Sequence, residues 1–281
     1  MLKNAYYFML ISGLNLESHI LDADWSHSLA GFGLPGFLSP KIWWYPSAIQ
    51  DYVLFMLLNA LKLSLLAALL PEINQFIWWG IQLWQEIFGY QERQQTGLWV
   101  NISFTISLFV ASDFSRYWLL RWMHTNPWLW RIHRLHYSAQ ILKPNTFYLI
   151  HPLESLLFGL RYALMAGFVT NLYMHWFGFG MHAHYWLGSL AIVALANMLG
   201  SNLRHSQLPL SYWPWLQTWL ISPAQHQWQH TIDGNQRNFG SILALWGHLF
   251  GSLDNTRSNA SFRFGISDQK ISSLLKQLLL R

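Results

Sequence analysis

Between residues 113 and 138 the chain reads DFSRYWLLRWMHTNPWLWRIHRLHYS, with histidine, arginine and tryptophan set between apolar runs. It contains His124, His133 and His136. His133 and His136 are spaced i, i+3, so on a helix both imidazoles leave one face and could share a metal. A second pair, His226 and His230 in SPAQHQWQH, has i, i+4 spacing and the same consequence. The pairs lie about ninety residues apart, so a site that used both would be assembled in space from separate segments. Neutral imidazole is a good ligand for iron or zinc, and its second nitrogen can be oriented by a carboxylate. The sequence has no cysteine, which removes disulfides, thiolate metal sites and cysteine nucleophiles.

The order of DFSRYWLLRWMH, LWRIHRLHYS, HPLE, SNLR, SPAQHQWQH and NFGSILALWGHLFGSL resembles the fatty acid hydroxylase and sterol desaturase superfamily over residues 98–253. That resemblance implies a membrane-embedded non-haem di-iron oxidase, its metals held by HxxxH, HxxHH and HxxHH motifs and one further histidine before the last. Matched position by position, Leu120 stands where the first motif begins and His124 remains. The second keeps His133 and His136 but ends in Tyr137, and the third keeps His226 and His230 around Gln229. Gly200, before Ser201 and Asn202, takes the place of the additional histidine. Asp113, Trp118, Arg121, Trp130, Ser138, the run from His151 to Glu154, Pro223, Asn238, Gly240, Trp246, Phe250 and Gly251 agree with the family framework.

The metal ligands expected on this basis are His124, His133, His136, His226 and His230. Tyr137 and Gln229 are substitute ligands, Asp113 and Glu154 are carboxylates that would orient imidazoles, and His205 and His151 are spare histidines. Five imidazoles fill one iron site; two irons need help from Gln229, Tyr137, His205 or water. The resemblance implies oxidation of a lipid or sterol-like substrate that enters from the bilayer, with dioxygen and an external electron donor. The alternative is a catalytically silent relative that holds no iron and acts as a lipid-binding or regulatory membrane partner. A third arrangement, one zinc or iron on His124, His133, His136 and a water, would serve hydrolysis.

Composition sets the environment of this chemistry. Hydrophobic residues make up 53% of the 281 and charged residues 10%, too little charge to cover a soluble core of this size. The 18 tryptophans and 12 tyrosines suit membrane interfaces. The net charge of +5 sits mostly beside apolar spans, which fits membrane orientation and excludes a nucleic-acid-binding reading.

The elements that must position the histidines follow. Residues 1–13 superficially resemble a signal peptide without a convincing cleavage site and are kept in the mature chain; residues 14–45, with His19 and His27, lie at or outside the membrane. Residues 52–70 are predicted to form a transmembrane helix stopped by Pro71, and 75–90 an interfacial helix. The apolar run at 97–111 continues as one helix towards Arg121, and 154–177 with 185–199 are predicted as a two-span hairpin. A hairpin returns the chain to the side it left, so the histidine clusters flanking it emerge on one face. Arg116, Arg121, Arg131, Arg134, Lys143, Arg204 and Arg237 share that face, which the positive-inside tendency makes cytoplasmic. His175, His182 and His184 gather at the hairpin tip and read as interfacial histidines beside Trp176 and Trp186, with haem or a second metal as the alternative. The expected fold is all-α, a multi-pass membrane helical bundle with a cytoplasmic histidine-bearing helical cap. Its parts are an N-terminal region (1–97), a fatty acid hydroxylase-like domain (98–253) and a C-terminal amphipathic helix (254–281).

Overall fold

The structure, a computed structural model, describes residues 43–89, 97–255 and 264–265, apart from 45, 140, 179, 187, 188, 207, 209, 233 and 235. The expectations for residues 1–42 and for the C-terminal amphipathic helix fall outside the described residues. The described chain is helical: α1 (Pro46–Phe88), α2 (Leu98–Thr125), α3 (Pro127–His133), α4 (Pro152–Phe177), α5 (Ala191–Met198), α6 (Pro214–Gln217), α7 (Pro223–Gln229) and α8 (Leu245–Leu249). Three 3₁₀ turns, His136–Ser138, Pro144–Tyr148 and Ser201–His205, link them. A short antiparallel pair, β1 (Tyr185–Trp186) and β2 (Ser189–Leu190), aligns Tyr185 with Leu190 and Trp186 with Ser189.

Three helices that carry the site begin alike, with a proline in the first turn behind a residue whose side chain caps it. Asn126 accepts from the backbone N–H of Trp128 and Leu129 at 2.9 and 3.2 Å ahead of Pro127. His151 Nδ1 accepts from Leu153 N at 3.2 Å ahead of Pro152. Ser222 Oγ accepts from Gln225 N at 3.3 Å ahead of Pro223, and Gln225 Oε1 accepts from Ser222 N in return. Proline holds the preceding residue extended and has no N–H to leave unpaired, so each helix start is fixed to within a residue.

The long helices α1 and α2 both pack on α4. Phe104, Leu108 and Phe109 of α2 form a core with Val169 of α4, Leu190, Ala196 and Ile242. Leu54 and Leu58 of α1 close over Leu135, Ala139 and Leu149, beneath the histidine region. Helices α2 and α4 are long and apolar enough to cross a membrane, and no more than a third of either apolar window is buried inside the protein. A soluble core helix would be mostly covered.

One stripe of α2 docks the segment that follows α7. Asp113, Tyr117 and Arg121 recur every four residues and so share a face. Asp113 Oδ1 accepts from Ile242 N at 3.0 Å, and its Oδ2 accepts from Leu243 N and Trp246 Nε1 at 3.2 and 2.9 Å. The Tyr117 hydroxyl meets Ser252 Oγ at 2.9 Å, and Arg121 donates to the Phe250 carbonyl at 2.9 Å. Inside that segment Asn238, at φ 55°, donates to the carbonyls of Gln225 and Asp254, both at 3.0 Å. A Cβ on Gly240 would lie 2.5 Å from the Leu243 carbonyl oxygen, so no larger residue fits there. Asp113, Arg121, Asn238, Gly240 and Trp246, framework residues by the resemblance, thus help to hold the segment that backs the site.

Two boundaries differ from expectation. Helix α1 continues through Pro71 to Phe88, so the predicted span at 52–70 and the interfacial helix at 75–90 are one element of 43 residues, about 65 Å long if straight. Proline costs one N–H and a local clash, which a helix with many other bonds absorbs. The second arm of the predicted hairpin is not a span: residues 185–186 and 189–190 form the β pair and α5 has 8 residues, roughly 12 Å of helix against a hydrocarbon core of about 30 Å. The arm still returns to the histidine end, because the His184 backbone is tied near the start of α2 by its N–H donating to Thr105 Oγ1 at 2.9 Å, whereas His205 lies beside His136.

Asp113→Ala removes one acceptor group from three donors, at a cost of about 3 kcal/mol or more. We expect a melting temperature several degrees below wild type in detergent, followed by tryptophan fluorescence, whereas an unchanged value would contradict the docking role.

Candidate metal centre

Four imidazoles from three segments converge at the end of α2. His136 opens one 3₁₀ turn, His205 closes another, His226 lies in α7, and His230 forms the C-terminal cap of that helix one turn later. Their ligand nitrogens all lie within 4.8 Å of one another. The Nε2 atoms of His136 and His205 are 3.1 Å apart, those of His205 and His226 3.2 Å, and those of His226 and His230 3.2 Å. Nitrogens bound to one ion at the usual length of about 2.0–2.1 Å are separated by roughly 3.0–3.4 Å when adjacent, so these three spacings are those of neighbouring ligands around one ion, and the four histidines could hold it.

The surroundings fix these rings before any ion arrives. The Ser222–Gln225 capping pair sets the start of α7 and hence the direction of His226 and His230. Gln227, between them and buried, turns the other way, and its amide donates to the carbonyls of Ser206 and Leu208 at 3.0 and 2.9 Å. That contact holds the His205 turn against α7. All four histidines are less than a tenth exposed. Loss of hydration is the main cause that holds His136 down to about 3 and His205, His226 and His230 well below the usual imidazole range; neighbouring rings and Arg204 add to it. Neutral rings keep their lone pairs available to a metal.

The remaining expected ligands form a different arrangement. His124 Nε2 lies 3.0 Å from the Tyr137 hydroxyl and 3.5 Å from the Gln229 amide nitrogen. Burial, with the Glu154 charge second, raises the Tyr137 phenol well above its ordinary value, so it stays protonated beside the His124 ring. His133 Nδ1 donates to Glu154 Oε1 at 2.9 Å. His133 and His136 therefore part company: α3 ends at His133, and the 3₁₀ turn sends His136 into the four-histidine group. The three-histidine hydrolytic arrangement is likewise not assembled, since His124 and His133 lie outside the converging group.

Glu154 sits where an orienting carboxylate was expected, against His133. Asp113 does not: its oxygens are taken by the segment around Ile242, and its role is to dock. His151 is a helix cap. Leu120 is buried against Tyr117 and Phe239, and Gly200, at φ 101°, faces Leu203 and Leu210. His205, five residues beyond Gly200, joins the group instead. The resemblance points to Gly200 because it matches residues at fixed positions, and only the nearness of His205 to SNLR signals its role. His175 packs on Trp84 and Phe88, and His182 is tied to Asn101; neither belongs to a converging group among the described residues.

A family model for fatty acid hydroxylases matches residues 105–252, a little over half of the 281 residues. The chain belongs to that family. It is also 24% identical over 155 residues to methylsterol monooxygenase 1-3 of Arabidopsis thaliana, an alignment that covers 51% of this chain and 45% of that protein. The chain thus spans less than half of that relative's length. No solved structure matches it.

The two kinds of histidine separate experimentally. His205→Ala is expected to abolish retention of added zinc, read by elemental analysis after desalting. His151→Ala is expected to keep the metal and lose about 1 kcal/mol of stability with the helix cap.

Proposed function

We propose that this chain is a membrane-embedded oxidase that hydroxylates or desaturates a lipid at an iron held by histidine. The observation that carries the reading is the convergence of His136, His205, His226 and His230, which restores a full donor set although each histidine motif has lost a member. An iron held there would supply the activation of dioxygen needed to oxidise an unreactive C–H bond. The protein's own part is to keep four imidazoles neutral and fixed and to screen them from bulk water. Glu154 holds the His133 ring. Phe147, 39% exposed, lies edge-on to His205 with ring centroids 5.5 Å apart, an apolar border over which an acyl chain or sterol-like ring can approach.

The surface supports a membrane setting. Leu160, Leu164 and Phe168 of α4, and Leu57, Leu61 and Leu63 of α1, are each exposed by more than two fifths. With α1, α2 and α4 in the bilayer, the histidines lie at one end beside Arg121, Arg131 and Arg134, which the positive-inside tendency assigns to the cytoplasm. Electrons come from an external reductase.

A second reading, a catalytically silent relative that binds lipid or regulates a membrane partner, is favoured by one observation. Leu120, Tyr137, Gly200 and Gln229 stand at positions where the family pattern has histidine.

Lipid extracts from cells that produce the wild type or His226→Ala separate the two. Oxidation predicts wild-type-dependent lipids that have gained one oxygen or lost two hydrogens and disappear with His226→Ala. Identical extracts would leave the silent reading.

A further inference from the structure

We infer that this protein is built for one metal ion per chain: the second metal position that the family pattern calls for is filled by the Tyr137 ring and its hydrogen bond to His124. The inference rests on the reading that the four-histidine group holds a metal.

Three observations carry it. First, three of the four losses fall together in space. Tyr137 and Gln229 both lie against His124, and Leu120 is one helical turn before it, whereas Gly200 faces Leu203 and Leu210. The histidines that remain outside that corner, together with His205, form one complete set.

Second, the space itself is taken. The Tyr137 ring is stacked on His230 at 4.5 Å and an 18° interplanar angle. It stands edge-on to His124, His133 and His136, with centroids 5.1, 5.3 and 5.8 Å away. A planar ring wedged between the two histidine groups, and only 4% exposed, occupies the ground on which they would share a pair of ions.

Third, the ligands left at this corner are too few for a second ion. His124 Nε2 is engaged with the Tyr137 hydroxyl at 3.0 Å, which leaves His133, its ring held through Nδ1 by Glu154, as the imidazole there with an open Nε2. His133 Nε2, Glu154 Oε2 and Gln229 Oε1 are buried without a protein hydrogen-bond partner. They do not make a second ligand set: among the described residues, no other three His, Asp or Glu ligand atoms converge.

The test is stoichiometry, read without activity. Detergent-purified full-length protein is stripped with a chelator, loaded anaerobically with ferrous iron alone, desalted and analysed for iron per chain, beside His124→Ala and His226→Ala. The expected result is one iron in the wild type, one in His124→Ala and none in His226→Ala. Two irons in the wild type, or loss of iron from His124→Ala, would overturn the single-metal inference and leave the oxidase reading standing. No iron in any of them would remove both.

Discussion

Four buried imidazole nitrogens within 4.8 Å of one another cannot all be satisfied by the protein alone. Each neutral ring brings one N–H and one lone pair, and burial at this depth leaves little water to take what is unmatched. Much of the surrounding structure serves to keep that crowd in place. The Ser222 cap aims two of the rings, Gln227 locks the third segment onto the first, and Leu135 and Leu149 close the floor with α1. The crowding is tolerable because a metal would draw on all four lone pairs at once.

Asp113 serves the same arrangement from a distance. It lies nearly three helical turns before His124, and its carboxylate gathers the backbone of Ile242 and Leu243 and the indole of Trp246. The segment so gathered carries Asn238, which donates to the Gln225 carbonyl at the start of α7. A chain of contacts therefore runs from a buried acid in α2 to the helix that presents His226 and His230. Losing a ligand histidine empties one position, whereas losing Asp113 loosens the wall behind two of them.

Sequence foretold those parts of the molecule that local chemistry decides. The apolar runs that became α2 and α4 and the helical character of the chain are set by composition and spacing, and the structure keeps them; the i, i+4 spacing of His226 and His230 likewise brings those two rings together. Other features depend on what the chain meets elsewhere. Pro71 reads as a helix stop, yet α1 runs on; residues 185–199 read as a span, yet most of them form a β pair and a short helix. The i, i+3 spacing of His133 and His136 promised a shared metal only if one helix held both, and the chain changes to a 3₁₀ turn between them. In sequence His205 is only one of several spare helpers, because its place in the group comes from Gln227 binding its turn, a contact across about twenty residues. Asp113 and Glu154 look equivalent in sequence; tertiary contacts give one to backbone amides and the other to a histidine.

Replacement of a ligand and replacement of a volume go together here. A histidine at 137 would offer one more lone pair between the two groups, and the tyrosine offers a larger ring and a donor. The phenol engages His124 in a hydrogen bond, while the same ring braces His230. The most direct measurement is anomalous diffraction at the iron edge from crystals of the iron-loaded protein. A single peak centred among the Nε2 atoms of His136, His205, His226 and His230, with none beside Tyr137, is the expected result. A second peak between His124 and His133, or no peak among the four, would contradict it.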